Sequence, residues 1–192
     1  MSSNEPDTAP HTDDRSAEQM LHFLCGKIAA GKSTLANNLA ANPMTVLVSE
    51  DHWLAHLYPG EIATLDDYVR CSKNLRNAME SHIVSLLGQG LSVVLDFPAN
   101  TLRQRQWFRG ICELTDARHQ LHFLDVPDET CKQRLRERNA AGEHAFQTSD
   151  EEFDLFTSHF VPPTLSEGFN IIRHTPRHPA LDAGSARLSQ CT

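Results

Sequence analysis

The chain of 192 residues carries a formal net charge of −8 and is 40% hydrophobic, which provides length and apolar content for one α/β core. The acidic balance opposes general binding to a polyanionic duplex and leaves only a local basic groove as a route to nucleic acid. Cys25, Cys71, Cys112, Cys131 and Cys191 are scattered without a C-x-x-C pair, which points away from a secreted disulfide scaffold and towards a reducing cytoplasm; no signal-peptide pattern or run of roughly 20 apolar residues is seen.

Residues 1–17 are polar and acidic, with Pro6 and Pro10, and are expected to form a disordered tail before a folded body over 18–174. Residues 21–25 predict a first strand and residues 34–40 a helix. Between them, Gly26-Lys27-Ile28-Ala29-Ala30-Gly31-Lys32-Ser33 fits G-x-x-x-x-G-K-[ST], the loop that holds nucleotide phosphates. A short β-rich run covers 44–49. Leu65, Val69, Leu75, Met79, Ile83 and Leu86 recur at helical spacing until Gly88 and Gly90 stop the helix. Residues 91–96 predict a strand ending in Asp96. Thr101 and Gln104 form a capping-box pattern for a helix through Leu102, Phe108, Ile111 and Leu114. Residues 119–126 predict another strand, and 128–139 an Arg-rich helix. Ser149 and Glu152 repeat the capping pattern for a helix bearing Phe153, Phe156 and Phe160, which Pro162-Pro163 ends. Residues 169–172 supply a last strand. From about 175 to 192, Pro176, Pro179 and Gly184 interrupt any apolar period, which predicts a second loose tail.

Strands alternating with helices imply an α/β fold with a parallel sheet covered on both faces, and ligands of such sheets bind beyond the carboxyl ends of the strands. The first strand end carries the phosphate loop, with Gly26, Lys27, Ile28, Ala29, Ala30, Gly31, Lys32, Ser33 and Thr34 as nucleotide-binding candidates. Backbone N–H groups and a helix N-terminus converge there on an anion, Lys32 reaches the β/γ-phosphates, and the Ser33 hydroxyl ligates Mg²⁺. The second strand end brings Glu50 and Asp51 beside the γ-phosphate. Asp51 is the stronger candidate to accept the proton of an attacking hydroxyl; the alternative is a strand-end acid or helix cap. Asp96 at the third strand end is a candidate to hold Mg²⁺ directly or through water. Arg103, Arg105 and Arg109 follow; Arg105 and Arg109 share a helical face that either binds an anionic acceptor or is simply solvated. Arg134 and Arg138 share another face, as arginines of a closing lid would, with residues 139–142 as a mobile segment; the alternative is salt bridges to Glu129 or Glu137.

Other features carry less. His52 and His56 have i,i+4 spacing without the glutamate of H-E-x-x-H, so zinc is not expected. Trp53 and Trp107 read as packing residues or pocket walls, and the Phe153, Phe156, Phe160 stripe reads as core. His144 and His159 either border the acceptor cleft or sit elsewhere.

With these residues in place, the chain resembles P-loop kinases of the zeta-toxin, polynucleotide-kinase and chloramphenicol-phosphotransferase type, and more closely the bacterial AAA-family ATP-binding proteins of that group. The resemblance spans roughly residues 20–174 and rests on GKIAAGKST (26–34), SEDHW (49–53), VVLDFPANT (93–101) and LDVPDETCKQRLRERN (124–139). In phage-type polynucleotide 5′-kinase an aspartate after the second strand acts on the acceptor hydroxyl, and Asp51 matches it. Arg138 matches a lid arginine that binds donor phosphates, with Arg134 one turn earlier. The arginine usual shortly after that aspartate is replaced here by Trp53, Leu54 and Ala55. The stretch 160–169, with Pro162, Pro163, Glu167 and Gly168, resembles a late loop that borders adenine.

The resemblance implies a three-layer, nucleoside-monophosphate-kinase-like fold with a five-stranded parallel sheet of order 2-3-1-4-5 and an Arg-rich lid. It also implies ATP and Mg²⁺, and it leaves the acceptor open. The expected function is ATP-dependent phosphorylation of a hydroxyl on a small molecule of antibiotic, sugar or nucleotide-sugar type, in the cytoplasm. A polynucleotide 5′-hydroxyl acceptor and a slow ATP-hydrolysing regulatory protein are the alternatives.

Overall fold

Five apolar runs become five parallel strands in a computed structural model that describes residues 19–142 and 148–176. The tails at 1–17 and 175–192 lie outside the described residues, apart from 175 and 176, and so does His144. In chain order the elements are β1 (Met20–Cys25), α1 (Lys32–Ala40), β2 (Thr45–Ser49), α2 (Glu50–Leu57), α3 (Leu65–Gly88), β3 (Ser92–Pro98), α4 (Leu102–Thr115), β4 (Arg118–Leu124), α5 (Asp128–Ala141), α6 (Asp150–Ser158) and β5 (Ile171–His174). The strands lie in the order β2-β3-β1-β4-β5, and all four pairings are parallel. The expected sheet order is therefore observed.

Alternation along each strand divides the core in two. Leu21, Phe23, Cys25, Val93, Leu95 and Leu121 face one side, where Leu75, Ile83 and Leu87 of α3 and Phe108 and Ile111 of α4 cover them. Leu24, Val94 and Leu124 face the other side, beneath Ala36 of α1, Cys131 and Leu135 of α5 and Phe153 of α6. Burial on both faces is why these strands read as nearly continuous apolar runs.

The boundaries differ from expectation where tertiary contacts intervene. Strand β2 passes without a loop into α2, a helix that hydrophobic periodicity did not reveal; Ser49 caps it, its hydroxyl accepting from the His52 N–H. Strand β3 continues past Asp96 to Pro98, so Asp96 pairs with Ser49 in register. Strand β4 ends at Leu124, and β5 starts at Ile171, while Phe169 packs in the core against Phe23 and His119. Residues 139–141 complete α5 rather than forming a loop, and Gly142 closes it at φ +67°. Helix α6 stops at Ser158, before Phe160 and well before Pro162. The capping boxes at Thr101/Gln104 and Ser149/Glu152 are present, and Thr64/Asp67 supplies another at the start of α3.

A row of imidazoles crosses the sheet. His22 Nδ1 lies 3.1 Å from His122 Nε2, and His122 Nδ1 lies 3.0 Å from His174 Nε2. Burial, with His22 and His174 alongside, pushes His122 from the usual 6.5 down to about 4. As pH falls, the unfolded chain takes up this proton first. A neutral His122 therefore favours the fold fully above pH 6.5, and the contribution is lost between 6.5 and about 4. The loss should reach about 3 kcal/mol. Thermal unfolding followed across that window should show a shallower acid-side decline in His122→Leu than in the parent; parallel curves would contradict the assignment.

Candidate functional site

The loop between β1 and α1 is shaped by its glycines. Gly31 sits at φ +101°, a conformation that L side chains rarely adopt. A Cβ on Gly26 would lie 3.1 Å from the Leu124 Cβ and 3.2 Å from the Leu124 carbonyl oxygen. Gly26→Ala should thus push the loop off β4 and cost about 1–3 kcal/mol. Nucleotide titration and denaturant midpoints measured together check this; parental values for both would show that the loop absorbs a methyl group.

Side chains fix the loop from outside. The Gly26 N–H donates to Asn100 Oδ1 at 2.9 Å, and the Asn100 carbonyl accepts the Val161 N–H. Lys27 pairs with Asp128 at the start of α5 and lies 5.8 Å from the Phe160 ring centroid. The Lys32 ammonium donates to the carbonyls of Gly26 (2.7 Å) and Lys27 (2.9 Å), holding it over the loop. Burial pushes the Lys32 pKa down, while Asp96, Cys25 and Asp51 oppose the shift. Beneath the loop, burial pushes the Cys25 thiol up to about 12, so it stays protonated and is no nucleophile at neutral pH.

Beside the loop opens a cavity of about 410 Å³ lined by Ser33, Asn37, Leu47, Ser49, Asp51, His52, Trp53 and Asp96. The parallel pairing of β2 with β3 places Ser49 next to Asp96, and the first turn of α2 then exposes Asp51. Ser33, Asp51 and Asp96, chosen on chemical grounds, thus share one concavity. From above, Arg134 Nη1 on α5 donates to the Ala30 carbonyl at 3.3 Å. Burial pushes the Arg138 pKa down and Asp51 opposes the shift, so the guanidinium lies within electrostatic reach of that carboxylate. Arg138 Nε is buried without a hydrogen-bond partner. Ser33 and Asp96, which line the same cavity, offer the hard oxygen donors that Mg²⁺ prefers, so these residues fit a magnesium nucleotide.

Several expectations are corrected by packing. Glu50 is not a base: it is 1% exposed, and its carboxylate accepts from Ser72 (2.6 Å), Tyr68 (2.8 Å) and Arg76 (3.1 Å), fastening α2 to α3. Arg105 does not face an acceptor. It is buried, pairs with Glu167 and donates to the Ala99 and Val161 carbonyls, both at 2.9 Å. Arg109 lies 4.4 Å from the Phe169 ring, and Arg103 is exposed on α4, so the face that Arg105 and Arg109 share packs on Glu167 and Phe169. Trp107 packs on Phe97 and Phe108 and donates to Glu80, whereas Trp53 walls the cavity. Of the phenylalanine stripe only Phe153 is fully buried, and Phe156 is 38% exposed. His56 hydrogen-bonds to the His52 carbonyl one turn back on α2, and His159 is exposed at the end of α6, outside the cavity.

Asn100 escaped sequence reasoning as a site residue, whereas Trp53 takes the pocket-wall role that was one of its two readings. A polar residue two positions beyond an apolar strand was the available signal for Asn100; its bond to Gly26 depends on tertiary placement.

Comparison with known proteins agrees with this architecture. A family model described as an AAA domain matches residues 21–163, well over half of the chain. The chain belongs to this AAA-domain family. Among solved structures, it is similar to a candidate kinase from Chloroflexus aurantiacus (16% identity, 85% of this chain and 91% of that one, TM-score 0.68). It is also similar to an unliganded sugar kinase from Janibacter sp. (17% identity, 84% and 87%, TM-score 0.55). An APS kinase from Mycobacterium tuberculosis, in complex with AMPPNP and APS, aligns at 18% identity over 84% and 90% with a TM-score of 0.54. The family member thus has a kinase-like P-loop fold. No curated protein matches the chain significantly. No helix among the described residues is long and apolar enough to cross a membrane.

Proposed function

We propose that the protein is an ATP-dependent kinase that transfers the γ-phosphate to a hydroxyl of a small molecule. The observation that carries this reading is that Asp51 lines the same cavity as Ser33 and Asp96, within electrostatic reach of Arg138. A nucleotide regulator needs the loop and the metal-binding residues; a second exposed carboxylate aimed into the adjacent space suits an acceptor.

The loop amides from Gly26 to Thr34 bind the phosphates, and the Lys32 ammonium, leaving its two carbonyls, neutralises them. Ser33 and Asp96 hold Mg²⁺, which when bound offsets charge on the β- and γ-phosphates. Asp51 orients the acceptor hydroxyl and takes its proton as oxygen attacks phosphorus. Arg134 and Arg138 stabilise charge on the transferring group and help to exclude water from it.

The test is incubation of the full chain with γ-labelled ATP, Mg²⁺ and pooled hydroxyl acceptors: sugars, antibiotics, nucleosides, nucleotide sugars and 5′-hydroxyl oligonucleotides. Label should enter an acceptor pool and disappear with Lys32→Ala. Label released only as inorganic phosphate would instead support an ATP-hydrolysing regulator.

A further inference from the structure

The acceptor side of the cavity differs in character from the phosphate side. Among the described residues its lining carries the carboxylates Asp51 and Asp96 and one imidazole, His52, and no lysine or arginine. Nearby cations have other commitments: Arg76 to Glu50, Arg105 to Glu167, the Lys32 ammonium to loop carbonyls, and Arg134 and Arg138, in the kinase reading, to the transferring phosphate. A phosphorylated acceptor would bring its charge towards Asp51, and the cavity lining offers no arginine fork to receive it.

The same wall presents an aromatic face. Trp53 is 38% exposed at the cavity, while the chain's other tryptophan is packed against Phe97 and Phe108. Leu47 continues the apolar surface, and Ser49 and Asn37 add hydrogen-bonding groups. An exposed indole in a cavity that also holds carboxylates suits a ring with an apolar C–H face and hydroxylated edges, and it attracts an amino group through the ring quadrupole. A volume of about 410 Å³ is at the small end of ligand clefts and matches one or two rings.

We infer that the acceptor is an unphosphorylated hydroxylated ring, neutral or cationic, of the sugar, cyclitol or amino-sugar class, lying against Trp53 with its reacting hydroxyl at Asp51. This rests on the kinase reading above and narrows it away from nucleotide sugars and polynucleotide ends. In the step, the acceptor oxygen forms a bond to the γ-phosphorus of ATP as the bond to the β–γ bridging oxygen breaks. ADP leaves with that electron pair, and the acceptor proton passes to Asp51.

The experiment is steady-state transfer by the full chain from labelled ATP to matched series: neutral sugars and cyclitols, their amino analogues, their phosphate monoesters, nucleotide sugars and a 5′-hydroxyl oligonucleotide. We expect kcat/KM for the best neutral or amino acceptor to exceed that of its phosphorylated counterpart by at least about tenfold. Trp53→Ala should raise the acceptor KM about tenfold with the KM for ATP kept, and Trp53→Phe should restore most of the loss. Amino and neutral acceptors competing within one assay separate the two arms of the class. Preference for phosphate monoesters, nucleotide sugars or the oligonucleotide would overturn this inference and leave the kinase reading standing; so would an unchanged acceptor KM in Trp53→Ala. Lys32-dependent ATP hydrolysis with no acceptor labelled in any series would overturn the kinase reading and this inference with it.

Discussion

Asp51→Asn should lower kcat for phosphoryl transfer by about 10²–10⁴ while leaving nucleotide affinity close to the parental value. The substitution keeps the size and hydrogen-bonding reach of the side chain and removes its capacity to accept a proton. Asp51 is exposed in the first turn of α2, facing the cavity that Ser33 and Asp96 share. Its neighbour cannot take over, because Glu50 is buried and engaged by Tyr68, Ser72 and Arg76. Initial rates and the KM for ATP, measured on the same preparation, separate the effects. Nucleotide affinity should if anything rise slightly, since one negative charge leaves the neighbourhood of the γ-phosphate. Undiminished kcat would remove Asp51 from the chemical step.

Arg105→Leu should destabilise the fold by about 3–5 kcal/mol, the largest stability effect expected of a single charged residue here. The guanidinium is 1% exposed and holds three segments together: the end of β3 through Ala99, the 161 loop through Val161, and the turn at Glu167 through a bond of 3.0 Å. Its loss strands the Glu167 carboxylate and leaves two carbonyls short of a donor. Burial alone would raise the Glu167 pKa; hydrogen bonds from Arg105 and Thr164 outweigh it and hold the carboxyl below its ordinary value of 4.5. That contribution is present above 4.5 and is lost as pH falls through the depressed folded value. Urea unfolding of Arg105→Leu, Glu167→Leu and the double variant gives the coupling directly. The double variant should lose less than the sum of the single ones, because removing both charges leaves no unpaired ion. A loss below about 1 kcal/mol in Arg105→Leu would mean that solvent satisfies Glu167.

What could be read from the residues depended on how local the determining contacts are. The phosphate loop is contiguous, and its glycines answer to backbone geometry within a few residues. The parallel sheet followed from continuous apolar runs, and its order from the resemblance. Helix α2 was hidden because it is short and its inward residues are Glu50 and Leu54, so half its buried face is a carboxylate that only the distant Tyr68, Ser72 and Arg76 neutralise. Arg105 and Arg109 looked alike at i,i+4 spacing. What separates them is Glu167, sixty-two positions beyond Arg105, and Phe169, neither of which helical spacing can reveal. The grouping of Ser33, Asp51 and Asp96 was legible because a parallel sheet gathers its strand ends at one edge. The charge and aromatic character of the cavity beside them needed the packing of α2.

The central claim is that this loop and cavity pass phosphate to an acceptor rather than to water. It is tested most directly by counting both products of one reaction: ADP formed and phosphate incorporated into an acceptor, in the parent and in Lys32→Ala. Equal amounts of the two products in the parent, with both lost in Lys32→Ala, are the predicted result. ADP formation matched by free phosphate, and unaltered by any hydroxyl acceptor, would contradict it.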